Sequence, residues 1–125
     1  MAGVHQMRRT EFGETVGSAE FTFRFPDGST KAVQLRVGRP YKVAGSESWA
    51  CPCELAGFEG RHPDIHGNDS MQALCLAVSL LRRRLEDFIE KGGKVLDPSD
   101  EGECSPEGIW AAFGDVGLVR NGSAT

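Results

Sequence analysis

The most constraining feature of the sequence is an alternation of apolar and polar residues that a turn signal interrupts once. The turn signal is Pro26-Asp27-Gly28-Ser29, in which proline presets φ and glycine accepts positive φ. The apolar residues at every second position are Phe21, Phe23 and Phe25 before the turn and Val33, Leu35 and Val37 after it. Since side chains two residues apart share a face of a strand, the segment predicts a β-hairpin with one apolar face.

Further strands are predicted after the hairpin. A third strand is predicted from Trp49 to about Phe58, in which every second residue faces one side: Trp49, Cys51, Cys53 and Leu55. Pro52 lies inside this strand and has no N–H to donate, which indicates either an unpaired side or a bulge. Shorter strands are predicted over residues 61–66 and at Val95 and Leu96.

A helix is predicted from Asp69 to Lys91. Asp69 is a suitable N-cap with Gln72 three residues later, and Gly92 is a suitable C-terminal cap. One stripe at helical spacing is predicted to face the sheet, comprising Met71, Leu74, Cys75, Val78, Leu81, Leu85, Phe88 and Ile89. The opposite side of the first half is also apolar, with Ala73, Leu76, Ala77 and Leu80, so this half is expected to be buried nearly all round.

The second apolar face of the helix needs a cover, because one helix on a small sheet buries one stripe. Either the segment after Gly93 supplies the cover, through Trp110 and Phe113, or another subunit does. The residues Leu76, Leu80 and Trp110 are therefore candidates for an interface.

The pattern of elements predicts an α+β fold. We expect a small antiparallel sheet of three to five strands, with one long helix over about residues 69–91 packed on one face. A chain of 125 residues has the length of a single domain, which we expect to span residues 1–125. Residues 1–18 are expected to be poorly structured or an edge strand, and residues 120–125 a frayed tail.

Charge and hydropathy argue against nucleic-acid and membrane partners. The net charge is −4 and the isoelectric point about 5.3, whereas nucleic-acid-binding domains are usually basic. The longest apolar run, over residues 73–81, is too short to span a bilayer. The first residues contain no apolar region of a secretion signal, and four cysteines without such a signal are typical of reduced thiols in a cytoplasm.

The segment between Ser48 and Asp69 concentrates residues that bind metals. Cys51, Cys53, His62 and His66 form a C-x-C and an H-x3-H pair, and Asp64 lies between the histidines. Zinc takes four such ligands, but cysteines in one strand lie roughly 7 Å apart and do not converge as they do on a turn. We therefore favour core thiols, and no metal or cofactor, with a zinc site as the alternative.

Motifs of familiar catalytic sites are missing from the sequence. It contains no G-x-S-x-G, no phosphate-binding loop and no dinucleotide fingerprint. Cys75 falls on the predicted apolar stripe of the helix, where we expect it to be buried. No residue is therefore predicted to be catalytic, and enzymatic activity is not favoured.

Several of these motifs together resemble a known family. They are a D-G turn between strands, V-G-R-P, W-x-C-P and N-D-S-M-Q-A-L, over roughly residues 21–91. This combination is similar to a family of small bacterial proteins classed as a domain of unknown function, with a CP-containing strand before a helix that opens D-S-x-Q-A-L. The resemblance implies a bacterial, cytoplasmic α+β protein. It implies no activity and assigns no functional residue.

Two functions remain as hypotheses. The first is a non-catalytic protein-interaction module, which binds another protein or a second copy of itself as a homodimer. The alternative is a metal-binding or hydrolytic protein that uses the segment from Cys51 to His66. The geometry of that segment discriminates between them, because a metal site needs its sulfurs and imidazoles to converge.

Overall fold

The computed structural model describes residues 11–99, 102–105 and 108. This part of the chain contains eight strands and one long helix, in the order β1 Thr15–Arg24, β2 Thr30–Gly38, β3 Tyr41–Lys42, β4 Trp49–Cys51, β5 Cys53–Ala56, β6 Gly60–Arg61, β7 Ile65–Gly67, α1 Ser70–Glu90 and β8 Lys94–Leu96. The strands pair antiparallel, so the predicted α+β class is confirmed.

The strands form two sheets. The first has five strands in the order β6-β5-β2-β1-β8, and the second has three in the order β3-β4-β7. Tyr41 lies opposite Ala50 in the smaller sheet, and Cys51 lies opposite Ile65. The sequence predicted the larger sheet, whereas the smaller one is a finding of the structure.

The predicted hairpin turn is confirmed. The amide of Gly28 donates to the carbonyl of Phe25 at 2.8 Å, and the amide of Phe25 donates to the carbonyl of Ser29 at 2.8 Å. Gly28 has a φ of 91°, a conformation that glycine adopts without steric cost. Hydrogen bonds from the hydroxyl and amide of Ser29 lower the pKa of Asp27 and keep its carboxylate in the turn.

Pro52 divides the predicted third strand into two. The continuous strand from Trp49 to Phe58 is therefore a wrong prediction, because β4 and β5 belong to different sheets. Pro52 lies between the two strands, so its missing N–H removes no hydrogen bond from either ladder, and its carbonyl accepts a hydrogen bond from the amide of Gly38 at 2.9 Å. The residues around this junction, Ala50 to Cys53, are all buried.

The chain divides into two compact units, each with buried apolar side chains. One unit comprises Met1–Glu20 and Val33–Leu81, and the other comprises Phe21–Ala32 and Arg82–Thr125. The core of the first unit contains Val33, Leu35, Val37, Ala50, Cys51, Cys53, Leu55, Ala73, Ala77 and Leu81. The core of the second contains Phe23, Leu85, Phe88, Val95 and Leu96, with the rings of Phe23 and Phe88 stacked at 4.3 Å.

Both ends of α1 are capped by the predicted residues. The amide of Gln72 donates to Oδ1 of Asp69 at 2.8 Å, and Oε1 of Gln72 accepts from the amide of Asn68 at 2.6 Å. At the other end the amide of Gly92 donates to the carbonyl of Ile89 and that of Gly93 to the carbonyl of Phe88, both at 3.0 Å. This is the double hydrogen bond of a Schellman motif, and the φ of Gly92, 98°, is the left-handed conformation that it requires.

The buried face in the first half of α1 differs from the predicted one. Ala73 and Ala77 are fully buried, whereas Met71 is 68% exposed and Cys75 is also exposed. A close approach of the chain explains the difference, because a Cβ at Gly67 of β7 would lie 2.6 Å from the amide nitrogen of Ala73. The residue of α1 that is buried at this close approach is the small Ala73.

The interface candidates lie on and beyond this helix. Leu76 is 41% exposed and Leu80 is half-buried, so the first half of α1 is not buried all round as predicted. Trp110 and Phe113 lie outside the described residues, as does the tail over residues 120–125. Most of the segment 1–18 is outside too, and its described end already forms the start of β1. The predicted strand at Val95 and Leu96 is confirmed as β8.

Candidate functional site

The segment from Cys51 to His66 lies in the first unit, where it passes from the smaller sheet to the larger one and back. Gly57 and Gly60 both have positive φ and allow the chain to reverse sharply between β5 and β6. Residues 62–64 then leave the larger sheet, and β7 rejoins the smaller one. The resulting cluster is centred on Asp64.

Both carboxylate oxygens of Asp64 are occupied by hydrogen bonds. The hydroxyl of Tyr41 in β3 donates to Oδ2 at 2.5 Å, and a guanidinium N–H of Arg61 in β6 donates to Oδ1 at 2.8 Å. The side chain of Asp64 is only 11% exposed, so these two partners replace most of its hydration. The carboxylate thus joins strands of the two sheets.

Two arginines enclose an aromatic ring beside Asp64. The guanidinium carbon of Arg36 lies 4.1 Å from the centre of the Phe12 ring, and that of Arg61 lies 5.2 Å from it. Arg36 also donates to Oε1 of Glu54 at 2.7 Å and to the hydroxyl of Thr15. Cation–π contacts of this kind hold the chain before β1 against β2 and β6.

The two cysteines of the segment are buried thiols. Cys51 and Cys53 are both 0% exposed, and Sγ of Cys51 donates to the carbonyl of Gly38 at 3.3 Å. Burial raises the pKa of Cys51 to about 12 and that of Cys53 to about 11, with the charge of Asp64 a smaller cause in both. Both groups are therefore protonated at neutral pH, whereas a cysteine nucleophile reacts as the thiolate.

Of the two histidines in the segment, one contacts a glutamate and the other is exposed. Nε2 of His62 lies 2.8 Å from Oε1 of Glu59, and His66 is exposed on β7 opposite Ala50. In the part of the chain that the structure describes, no three His, Cys, Asp or Glu side chains are grouped so that they could hold a metal ion. The five candidate ligands therefore have different surroundings. Cys51 and Cys53 are buried, Asp64 accepts hydrogen bonds from Tyr41 and Arg61, His62 contacts Glu59, and His66 is exposed.

Four residues of the Asp64 cluster were not identified from the sequence: Phe12, Arg36, Tyr41 and Arg61. Their partners lie far away along the chain, since Tyr41 and Asp64 are 23 residues apart. No local spacing signals such contacts, although Tyr41 is the only tyrosine in the chain. The charged side chains of the cluster bind one another or a neighbouring hydroxyl, which is typical of a cluster that stabilises the fold.

A second candidate site is the exposed face of α1, which we define as Met71, Cys75, Leu76 and Leu80. Met71 and Leu76 are among the large hydrophobic residues that remain exposed, and Leu80 is half-buried. Because Met71 and Leu76 are five residues apart, they lie about 140° apart around the helix, with the polar Gln72 between them. The face is therefore a mixed surface of apolar and polar side chains.

Comparison with known proteins places the chain in a family. Within the described residues, no helix combines the length and the apolar character that crossing a membrane requires. No curated protein and no solved structure matches the chain. Residues 19–103, well over half of the sequence, match the family model of a domain of unknown function, DUF6968. The chain therefore belongs to the DUF6968 family.

Proposed function

We propose that the chain is a non-catalytic protein-interaction module of the bacterial cytoplasm, which binds through the exposed face of α1. The observation that carries the proposal is the exposure of Met71 and Leu76, at 68% and 41%. Complete burial of side chains of this size contributes about 1.5–3 kcal/mol each relative to exposure. A partner that covers the exposed part of each side chain gains the corresponding fraction of this free energy.

The neighbouring side chains support a contact larger than two residues. Leu74, Val78 and Leu80 are half-buried and add apolar area around Met71 and Leu76. Methionine adapts its shape to a partner because it is unbranched and has three rotatable bonds. The face can therefore fit another protein or the same face of a second copy.

The state of the Asp64 cluster supports a non-catalytic role. The carboxylate of Asp64 accepts hydrogen bonds from Tyr41 and Arg61 and its side chain is only 11% exposed, so little of it is accessible to a substrate. The thiols of Cys51 and Cys53 are protonated, and His62 is engaged with Glu59. The cytoplasmic location is supported by the four cysteines, which are all free thiols.

Site-specific photo-crosslinking in a bacterial cell tests the proposal. A photoreactive amino acid at Leu76 should give a discrete adduct, identified by mass spectrometry as a second copy or as one other protein. The same amino acid at Glu47, an exposed residue in the loop between β3 and β4, is the control because it lies outside α1. The adduct should disappear when Met71→Glu is added, because the charge disfavours burial of the face. Equal, diffuse labelling from both positions would refute the proposal.

A further inference from the structure

Strand β1 has a backbone edge that no described strand covers. In the larger sheet β1 lies between β2 and β8, but β8 pairs only with Thr22, Phe23 and Arg24. The segment Thr15–Glu20 therefore presents one row of N–H and C=O groups away from β2. Such a row is a template for another strand.

The open segment lacks the devices that usually protect an edge. Between Thr15 and Ala19 there is no proline and no charged residue. The side chains from Thr15 to Ser18 are exposed on both faces of the strand, and Val16 is 51% exposed. A Cβ at Gly17 would meet no atom within 4 Å, so neither face is crowded there.

We infer that this edge pairs with the same edge of a second copy of the chain, antiparallel and centred on Ser18. The inference rests on the proposed interaction function and names the partner and the element that joins the copies. The twofold axis of such a pair is perpendicular to the sheet, so opposing residues must share a face and be an even number apart. Ser18 then lies opposite Ser18 of the partner subunit, and Val16 lies opposite the partner's Glu20.

The charges disfavour the neighbouring register centred on Gly17. Centring the pair on Gly17 would place Glu14 opposite the partner's Glu20, and like charges directly opposite each other destabilise a ladder. Centring it on Ser18 removes that opposition. A foreign peptide fits less well, because added strands obtain their specificity from side-chain pockets, and a segment exposed on both faces offers none.

Two substitutions at one exposed position test the register. Val16→Lys places an ammonium opposite the partner's Glu20 and should strengthen the dimer, whereas Val16→Glu places two carboxylates there and should weaken it. Each pair occurs twice per dimer, so the two variants should differ in dimer dissociation constant by roughly tenfold or more. Sedimentation velocity over a concentration series measures the constants, and circular dichroism confirms that both variants fold alike. A chain that stays monomeric up to millimolar concentration, or equal constants for both variants, would overturn the inference.

A crosslink and a helix variant separate this inference from the proposed function. Ser18→Cys, in a background with Cys75→Ser and Cys104→Ser, should form a disulfide-linked dimer under mild oxidation, because opposing Cβ atoms about 4.5–5.5 Å apart need to approach by only about 1 Å to reach disulfide geometry. Suppose that Leu76→Glu dissociates the dimer, that the Val16 variants leave its dissociation constant unchanged, and that the Ser18→Cys disulfide does not form. The edge inference is then wrong and the proposed role of α1 stands. If the crosslink forms while Leu76 gives no photo-adduct, the edge inference stands and the role of α1 fails.

Discussion

The hydroxyl of Tyr41 donates a 2.5 Å hydrogen bond to Oδ2 of Asp64, and this contact ties β3 of the smaller sheet to the loop between β6 and β7. Arg61 of the larger sheet binds the other carboxylate oxygen. One side chain on a short loop thereby connects strands of both sheets. The connection explains how a two-residue strand such as β3 keeps a fixed position.

Tyr41→Phe should lower the free energy of unfolding by about 1–3 kcal/mol, because it removes a donor from a poorly solvated carboxylate. Urea denaturation followed by tryptophan fluorescence measures the change. Lys42→Ala, at the exposed neighbouring position, is the control and should change stability by no more than about 0.5 kcal/mol. If both variants unfold at the same urea concentration, the contact does not contribute to stability.

The two glycines after α1 should differ in their tolerance of alanine. Gly92→Ala should cost about 1–2 kcal/mol, since only the left-handed φ of 98° opposes a Cβ there. Gly93→Ala should cost more, because its Cβ would lie 2.4 Å from the Phe88 ring, which stacks on Phe23. Thermal unfolding of both variants checks the order. The reverse order would show that the ring shifts without cost.

The four thiols should react with iodoacetamide in the order of their exposure. Cys75 should be alkylated first, because it is exposed on α1, and Cys51 and Cys53 should react only after unfolding. Mass spectrometry of peptides after timed labelling gives the order, and protein in urea serves as the control for intrinsic reactivity. Early modification of Cys51 would contradict its burial and its raised pKa.

Stability should decline at alkaline pH because of the buried thiols. The pKa values of Cys51 and Cys53 are raised from the ordinary 9.0 to about 12 and about 11, so the folded state favours the protonated forms. Their contribution is fully present below pH 9 and is lost as the pH rises from about 9 towards 11 and 12. Each thiol contributes a slope of at most about 1.4 kcal/mol per pH unit. Cys51→Ala should reduce the decline between pH 9 and 11, and an unchanged slope would contradict the assignment.

Native mass spectrometry of untagged protein, purified without chelator, should give the mass of one or two chains without bound metal. The prediction follows from the separate partners of His62 and Asp64. The same spectrum reports the number of subunits. An excess of one zinc per chain, lost in acid, would instead favour the metal-binding alternative for the segment from Cys51 to His66.

Features that depend on neighbouring residues were predicted well. The turn at Gly28 and the caps at Asp69 and Gly92 follow from the φ values and hydrogen bonds that a few adjacent residues permit. The alternation of apolar and polar residues in the hairpin strands likewise follows from the pleat, because successive side chains of a strand point to opposite faces. The candidate site was predicted only as a segment, since its contacts to Tyr41, Arg36 and Phe12 join residues far apart in the chain.

Sequence alone therefore determined where the chain turns, where α1 begins and ends, and that the fold is α+β. Tertiary structure decided that Pro52 separates two sheets, because the amide of Gly38 satisfies the carbonyl at the junction. It also decided which face of α1 is buried. Helical periodicity places Ala73 and Met71 on equally apolar faces, and the structure buries Ala73 at the point where α1 approaches Gly67 closely.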